Sequence, residues 1–541
     1  MVREKKIKKV LFFCMPMLLL LSPYVYFIQF NVYGFNHYES IMLCLLIIIV
    51  GFTSGALLVT HSWILRTVIF ILLVSITLSF FPLFQNGWVL KATFIIIVLL
   101  AIFCLEKTVP IICVMSAVFI ATCILMPMKQ QFVQPIDTNY KVSIDKKLPT
   151  VVHIILDEHI GINAIPQNIS HGDSLKKQLI QFYLSNGFTL YSNAYSHYSR
   201  TYNSIPNLLN FLPKAQNATY FADGLKHLDL YKNSAFTLLS EKGYAINIFQ
   251  PQYINFCKAK NIRLEQCYTY PVHSLEYAKN LSISRNQHLI YLSKSFLLLS
   301  SIYRSLMIGY EYYLRPSLLH LSINLPHWSW HQDQVSAAAV PETLNALANA
   351  IIAHPKGRVY FAHILLPHSP YIFNQYCQPN PKVNQWMMNY DLGPYSNTDK
   401  QRAVHYRYYE GQLKCDYHLL NQFVNKLKKA GDFDNTIFII NGDHSSRIAQ
   451  VAPFPDNATK FTQQDFEDSF ATLYAVKFLH ASPRIVADQV PITRLYAETI
   501  TKLTQQKITE DLAENYIYLT VKRPKNKQKM PTLLLSQIPK K

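Results

Sequence analysis

Apolar residues run in long blocks through the first 127 positions, then give way to short blocks set between helical patterns. The long blocks fall at Val10–Phe30, Ser40–Thr60, Trp63–Phe81, Ala92–Leu105 and Val109–Met126. Each approaches the ~20 apolar residues that cross about 30 Å of hydrocarbon, which predicts five transmembrane helices. From Pro149 onward the pattern predicts strands and helices in alternation, the mark of an α/β domain with a largely parallel sheet. VVHIIL is a buried strand that stops on Asp157-Glu158. Asp173 opens a helix stopped by Asn186-Gly187, and FTLYSNAY follows as a strand. Lys232–Lys242 ends at Gly243 before YAINIFQ, and Pro341 opens a helix to His354 before RVYFAHILL. A long helix over His405–Ala430 feeds TIFII, which stops on Gly442-Asp443-His444. ATLYAVKFL, the helix PITRLYAETITKLTQQ and the strand YIYLTVK complete the order.

The expected domains are a membrane anchor over 1–127, a linker over 128–148, a catalytic domain over 149–521 and a basic tail over 522–541. A cleaved signal peptide is the competing reading of the first block. Its long apolar run, the lack of a small-residue cleavage site and the four further blocks argue against that. Residues 289–314 break the α/β rhythm: they are apolar and aromatic but carry Lys294, Arg304 and Glu311. A sixth span would reverse the side of the later strands, leaving an interfacial amphipathic helix or a buried core helix.

Charge sets the orientation. The leader MVREKKIKK is basic and the first loop has no Lys or Arg, so the N-terminus is expected in the cytoplasm. Five spans then place everything after residue 130 outside, in a bacterium the periplasmic side of the inner membrane. The net charge of +19 does not point to nucleic acid, because the compartment is wrong and no binding motif occurs; anionic lipid head groups or phosphorylated glycans are the better partners. Five of the nine cysteines lie in the apolar blocks. The other four, Cys257, Cys267, Cys377 and Cys415, are an even set in an oxidising compartment. Pairing 257–267 with 377–415 is the simplest of three connectivities.

Asp157, Asp443 and His444 stand at strand ends, where open α/β sheets gather ligands, and borderline metals accept Asp with His. Between them in sequence, Thr201 stands at a helix start in SHYSRTYNSIPNLLNF. Read alone it is an N-cap, but beside a metal ion its hydroxyl is a candidate nucleophile.

These pieces together resemble the alkaline phosphatase superfamily, and within it the membrane-anchored phosphoethanolamine and lipoteichoic-acid-type phosphoglycerol transferases. Thr201-Tyr202-Asn203-Ser204-Ile205-Pro206 is similar to that family's Thr-x-x-Ser-x-Pro, and Asn441-Gly442-Asp443-His444 to its Asp-His pair. His363 and His368 in FAHILLPHSPYIF resemble a histidine pair bordering the substrate phosphate. The resemblance implies a sulfatase-like α/β domain and a divalent metal, zinc or manganese, held by Asp157, Thr201, Asp443 and His444. It implies a phospho-threonine route from a membrane phospholipid donor to an envelope glycan or lipid acceptor, with a hydrolase of the same site and a non-catalytic envelope protein as alternatives. Ser445 replaces the usual Gly after Asp-His, and SSRIAQVAPFPD, where some relatives keep another ligand, holds no His and no Asp-His cluster. Whether Asp157 or Glu158 is the first acidic ligand stays open. No Cys-x-Pro-x-Arg setting for formylglycine occurs, which argues against sulfate ester hydrolysis.

Overall fold

A computed structural model of the chain describes residues 2–60, 62–81, 92–93, 95–96, 98–99, 102–126, 144–167, 172–212, 220–221, 228–270, 275, 277–321, 323, 325, 336–386, 397–508, 515–521 and 530–539. The chain divides into two compact units. The first comprises 1–130, 273–334 and 381–385; the second comprises the remainder.

In the first unit, Val2–Phe30, Tyr38–Thr60 and Leu105–Leu125 are helices, and all three contain stretches long and apolar enough to cross a membrane. The apolar blocks predict five such spans. Trp63–Ser79 forms only 17 helical residues, about 26 Å at 1.5 Å per residue and short of the hydrocarbon thickness. Of the expected span Ala92–Leu105, residues 94, 97, 100 and 101 lie outside the described residues. Gly51 and Gly55, four apart, let helix Tyr38–Thr60 press on the first helix. A Cβ at Gly51 would overlap Met17 Cα, and one at Gly55 would overlap Phe13 O.

The stretch around 289–314 belongs to this unit, although its place in the chain puts it inside the expected catalytic domain. Its first part, helix Arg285–Leu297, is a core helix: Phe296 packs on Tyr24, Phe27 and Phe80 at 4.6–5.4 Å between ring centroids. The following helix, Ser301–Gly309, buries none of its residues, and Leu306, Tyr312 and Tyr313 are exposed there and just beyond. The first half thus matches the buried-core expectation, and the second is exposed.

The second unit is built on β1 (Thr150–Leu156), β2 (Thr189–Tyr195), β3 (Ala245–Pro251), β4 (Leu264–Tyr270), β5 (Arg358–Ile364), β6 (Thr436–Gly442), β7 (Tyr474–Lys477) and β8 (Arg484–Pro491). They form one sheet in the order β4-β3-β5-β1-β6-β7-β2-β8. All neighbours are parallel except those of β7, which runs against β6 and β2. Every residue of β1, β3 and β6 is buried because helices cover both faces, hence the unbroken apolar runs. Helices Thr201–Asn210, Ser234–Lys242 and Ile492–Thr504 share one core with Val151, Ile155, Phe361 and Ile439. Helix Gly172–Ser185 and the long helix Asp399–Ala430 pack together, with Phe182 edge-on to Tyr417.

The closing strand expected at YIYLTVK does not join this sheet. Tyr516–Tyr518 pairs antiparallel with Thr532–Leu534 in a separate two-stranded ribbon. Part of the basic tail is therefore seated, with Leu533 and Ile538 in a core with Tyr195, Phe466 and Phe470; 522–529 lie outside the described residues.

Candidate active site

The central strands β5, β1 and β6 run parallel in register, His153 opposite Phe361 and Ile439, so their carboxyl ends open at one level. Asp157 follows β1, Asp443 follows β6 and His363 lies near the end of β5. Thr201 is the first residue of its helix; the N-cap is Arg200, and no side-chain capping bond is made there. The Thr201 hydroxyl faces the Asp157 carboxylate at 3.4 and 3.5 Å and His444 Nε2 at 3.2 Å. Ser204, one turn on, donates to the Asp443 carbonyl at 2.5 Å and contacts Ser196 at 2.9 Å, fastening the helix start to the end of β6. Gly442 is required by close approach: a Cβ there would overlap Thr472 Oγ1 and stand 2.7 Å from the His159 carbonyl.

Lone pairs converge on one point. His444 Nδ1 lies 2.9 Å from the Ser445 carbonyl, which assigns the ring proton to Nδ1 and leaves the Nε2 lone pair facing inward. Asp443 Oδ1 accepts the backbone N–H of Glu158 at 3.0 Å and of His444 at 2.9 Å. Asp443 Oδ2 is buried, meets no hydrogen-bond partner of normal geometry among the described residues, and lies 3.2 Å from His444 Nε2. Burial and the Asp443 charge push the Asp157 carboxyl well above its usual range, and burial raises Asp443. Burial also holds His444 neutral, with Arg447 nearby acting in the same direction. Two buried carboxylate groups and an inward lone pair need a proton or cation between them. Asp157, Asp443 and His444 offer ligand atoms within 4.8 Å of one another, and with Thr201 Oγ1 the donor set fits a divalent cation.

Glu158 belongs to the other side of the site. Its φ of 64° turns the chain sharply after Asp157, and Tyr409 donates to its carbonyl at 2.7 Å. Asp157 and Glu158 therefore diverge, Asp157 to Thr201 and Glu158 to the Arg447 guanidinium and the Ser369 N–H. Although burial raises it, Arg447 and His368 hold the Glu158 carboxyl below its ordinary value. Asp157, Glu158 and His368 form a second acidic–imidazole group, but the cation it already faces is Arg447.

Asp157, Thr201, Asp443 and His444 are thus brought together as expected from sequence. His363 is fully buried and donates from Nε2 to Asp157 Oδ2 at 2.9 Å, so it stands behind Asp157 rather than on the open face; burial lowers its pKa to about 4. His368 keeps an exposed edge, its Nε2 3.6 Å from Glu158 and 3.4 Å from Arg447. Cys257 is bonded to Cys267 and Cys377 to Cys415. Sequence reasoning missed Arg447, whose only signal was its place three residues after His444, and the network beneath it. There Arg402 grips Asp468 at 2.6 and 2.9 Å, and the Asp468 carbonyl receives the Arg447 N–H at 2.7 Å.

Residues 149–510 match the Sulfatase family, and the chain belongs to it. No curated protein matches significantly. Among solved structures, a phosphonate monoester hydrolase from Silicibacter pomeroyi is 12% identical over 66% of this chain and 74% of its own, with a TM-score of 0.38. The phosphonate monoester hydrolase of Agrobacterium radiobacter is 12% identical over 66% and 73%, at 0.37. An alkaline phosphatase superfamily protein from Vibrio parahaemolyticus is 14% identical over 69% and 73%, at 0.38.

Proposed function

We propose that the protein is a membrane-anchored phosphotransferase. It would move a phospho-alcohol group, phosphoethanolamine or phosphoglycerol, from a phospholipid to an envelope glycan or lipid through Thr201. The observation that carries this reading is the Thr201 hydroxyl placed among the inward lone pairs of Asp157 and His444, with the buried Asp443 carboxylate completing the cluster. A divalent ion held there by Asp157, Thr201, Asp443 and His444, zinc or manganese, would lower the hydroxyl's pKa and offset charge on the phosphoryl oxygens.

In the first step the Thr201 hydroxyl, which an ion held beside Asp157 would acidify, releases its proton to solvent. Oγ1 bonds to phosphorus, the bond from phosphorus to the lipid alcohol breaks, and the departing oxygen takes a proton from His368, the histidine with an exposed edge. His363 orients Asp157 through its Nε2–H. In the second step an acceptor alcohol attacks phosphorus and loses its proton to His368. The bond to Oγ1 breaks and Oγ1 takes a proton back from solvent. Water in place of the acceptor alcohol makes the same site a hydrolase. The helices suited to crossing a membrane favour transfer, since they would keep the site near lipid.

The test is metal analysis of the full-length protein in detergent beside turnover of a model phosphodiester. About one tightly held divalent ion per chain is expected, reduced in Asp443→Ala. A metal-free chain after metal-replete preparation, with no diester turnover, would leave a non-catalytic protein that keeps the fold.

A further inference from the structure

Beside the nucleophile lies a cavity of about 50 Å³ that does not include Thr201 in its walls. Water needs roughly 10–15 Å³ of such space, so there is room for several waters or one tetrahedral oxyanion. Two walls are Arg200 and Arg447, three are the hydroxyl residues Ser199, Ser469 and Thr520, and no acidic side chain among the described residues lines it. Arg447 sits at a φ of 59°, and its Nε is buried with no hydrogen-bond partner among the described residues. One guanidinium edge is spent on Glu158, leaving this donor unused. The rim is fixed: Ser199 Oγ lies 3.0 Å from Thr520 Oγ1, and the Thr520 N–H donates to the Pro453 carbonyl at 2.7 Å. The ribbon that brings Thr520 lies beyond the stretch matching the family.

We propose that this cavity is an oxyanion subsite, distinct from the phosphoryl position at Thr201, that binds a second phosphate group of the substrate. The proposal rests on the phosphotransfer reading for the substrate, but the site itself rests on the arginines, the hydroxyls and the cavity. Planar guanidinium donors suit phosphate oxygens, and hydroxyls complete a tetrahedral anion's contacts. The second phosphate comes either from the leaving alcohol or from the acceptor.

The test is calorimetric titration of inorganic phosphate into the full chain in detergent after chelator treatment. One phosphate per chain is expected, equally in Thr201→Ala, and at least tenfold weaker in Arg200→Met. Arg447→Met should abolish binding, but it also strips Glu158 of its counter-charge, so Arg200→Met is the deciding variant. No binding in the wild type, binding lost in Thr201→Ala, or binding within twofold in Arg200→Met would each overturn the proposal. Two kinetic arms separate the sources. A phosphate on the leaving alcohol should speed formation of the Thr201 adduct, and one on the acceptor should speed its discharge; the gain that Arg200→Met removes names the source, and a gain in neither counts against the subsite. If no diester is turned over, the phosphotransfer reading fails while the titration still decides the subsite.

Discussion

Arg402→Met tests the support beneath the site. Arg402 is 7% exposed and Asp468 fully buried, and two charge-assisted hydrogen bonds join them, with Tyr406 as a further donor to the carboxylate. Removing the guanidinium leaves a buried carboxylate without its counter-charge, a loss of about 3–5 kcal/mol. Neutralisation limits the damage, since burial already pulls Asp468 up to about 6 with Arg402 in place, and without it the group takes a proton near neutrality. At ~2 cal/mol/K per residue over the family-matching stretch, the melting midpoint should fall on the order of 4–7 °C. Arg402→Met/Asp468→Leu, which removes both charges, should regain most of that. Because the Asp468 carbonyl also holds the Arg447 N–H, turnover should drop in the single variant even where it is folded. Thermal unfolding of the full chain in detergent decides: a single variant within a degree of wild type, or a double variant that loses the sum, refutes the reasoning.

Opening Cys377–Cys415, which closes a separation of 38, should cost about 4 kcal/mol, and opening Cys257–Cys267, a separation of 10, about 3, on loop entropy. Melting of the paired Cys→Ser variants should rank in that order, and four alkylatable thiols in the non-reduced protein outside the spans would contradict both bonds. His405 is buried with neither ring nitrogen hydrogen-bonded among the described residues, and burial lowers its pKa to about 4. The unfolded chain protonates it near pH 6.5, so stability is full above that pH and falls by ~1.4 kcal/mol per unit down to about pH 4. His405→Phe should flatten that acid limb of the melting curve; an unchanged slope would assign it to other groups.

The central strands were legible because both faces are covered and their apolar runs are unbroken. The two strands of the eight-stranded sheet that were missed are β4 and β8, its edges. RIVADQVP on β8 is exposed over most of its length and carries no core signal. Asp157, Thr201, Asp443 and His444 were legible because each ends a strand or opens a helix. The division between Asp157 and Glu158 was not, since it depends on the left-handed turn at Glu158. Nor was Arg447, which matters through contacts with Glu158 and Asp468, 289 and 21 positions away. The seat of Phe296 among Tyr24, Phe27 and Phe80 was hidden for the same reason: apolar composition says that a helix is buried, not against which partner.

The central claim is that Thr201 bonds to phosphorus. Thr201 is not the N-cap and no side-chain capping bond is made at that helix start, so its truncation should leave the fold in place, whereas loss of the attacking oxygen removes the chemistry. The most direct measurement is acid quenching of the metal-loaded full-length protein during turnover of a phospholipid carrying a labelled head group, followed by peptide mass spectrometry. A phospho-alcohol adduct is expected on Thr201, absent in Thr201→Ala, with a melting midpoint in that variant close to wild type. Turnover that persists in Thr201→Ala within a few-fold, with no adduct on the wild-type peptide, would contradict the claim.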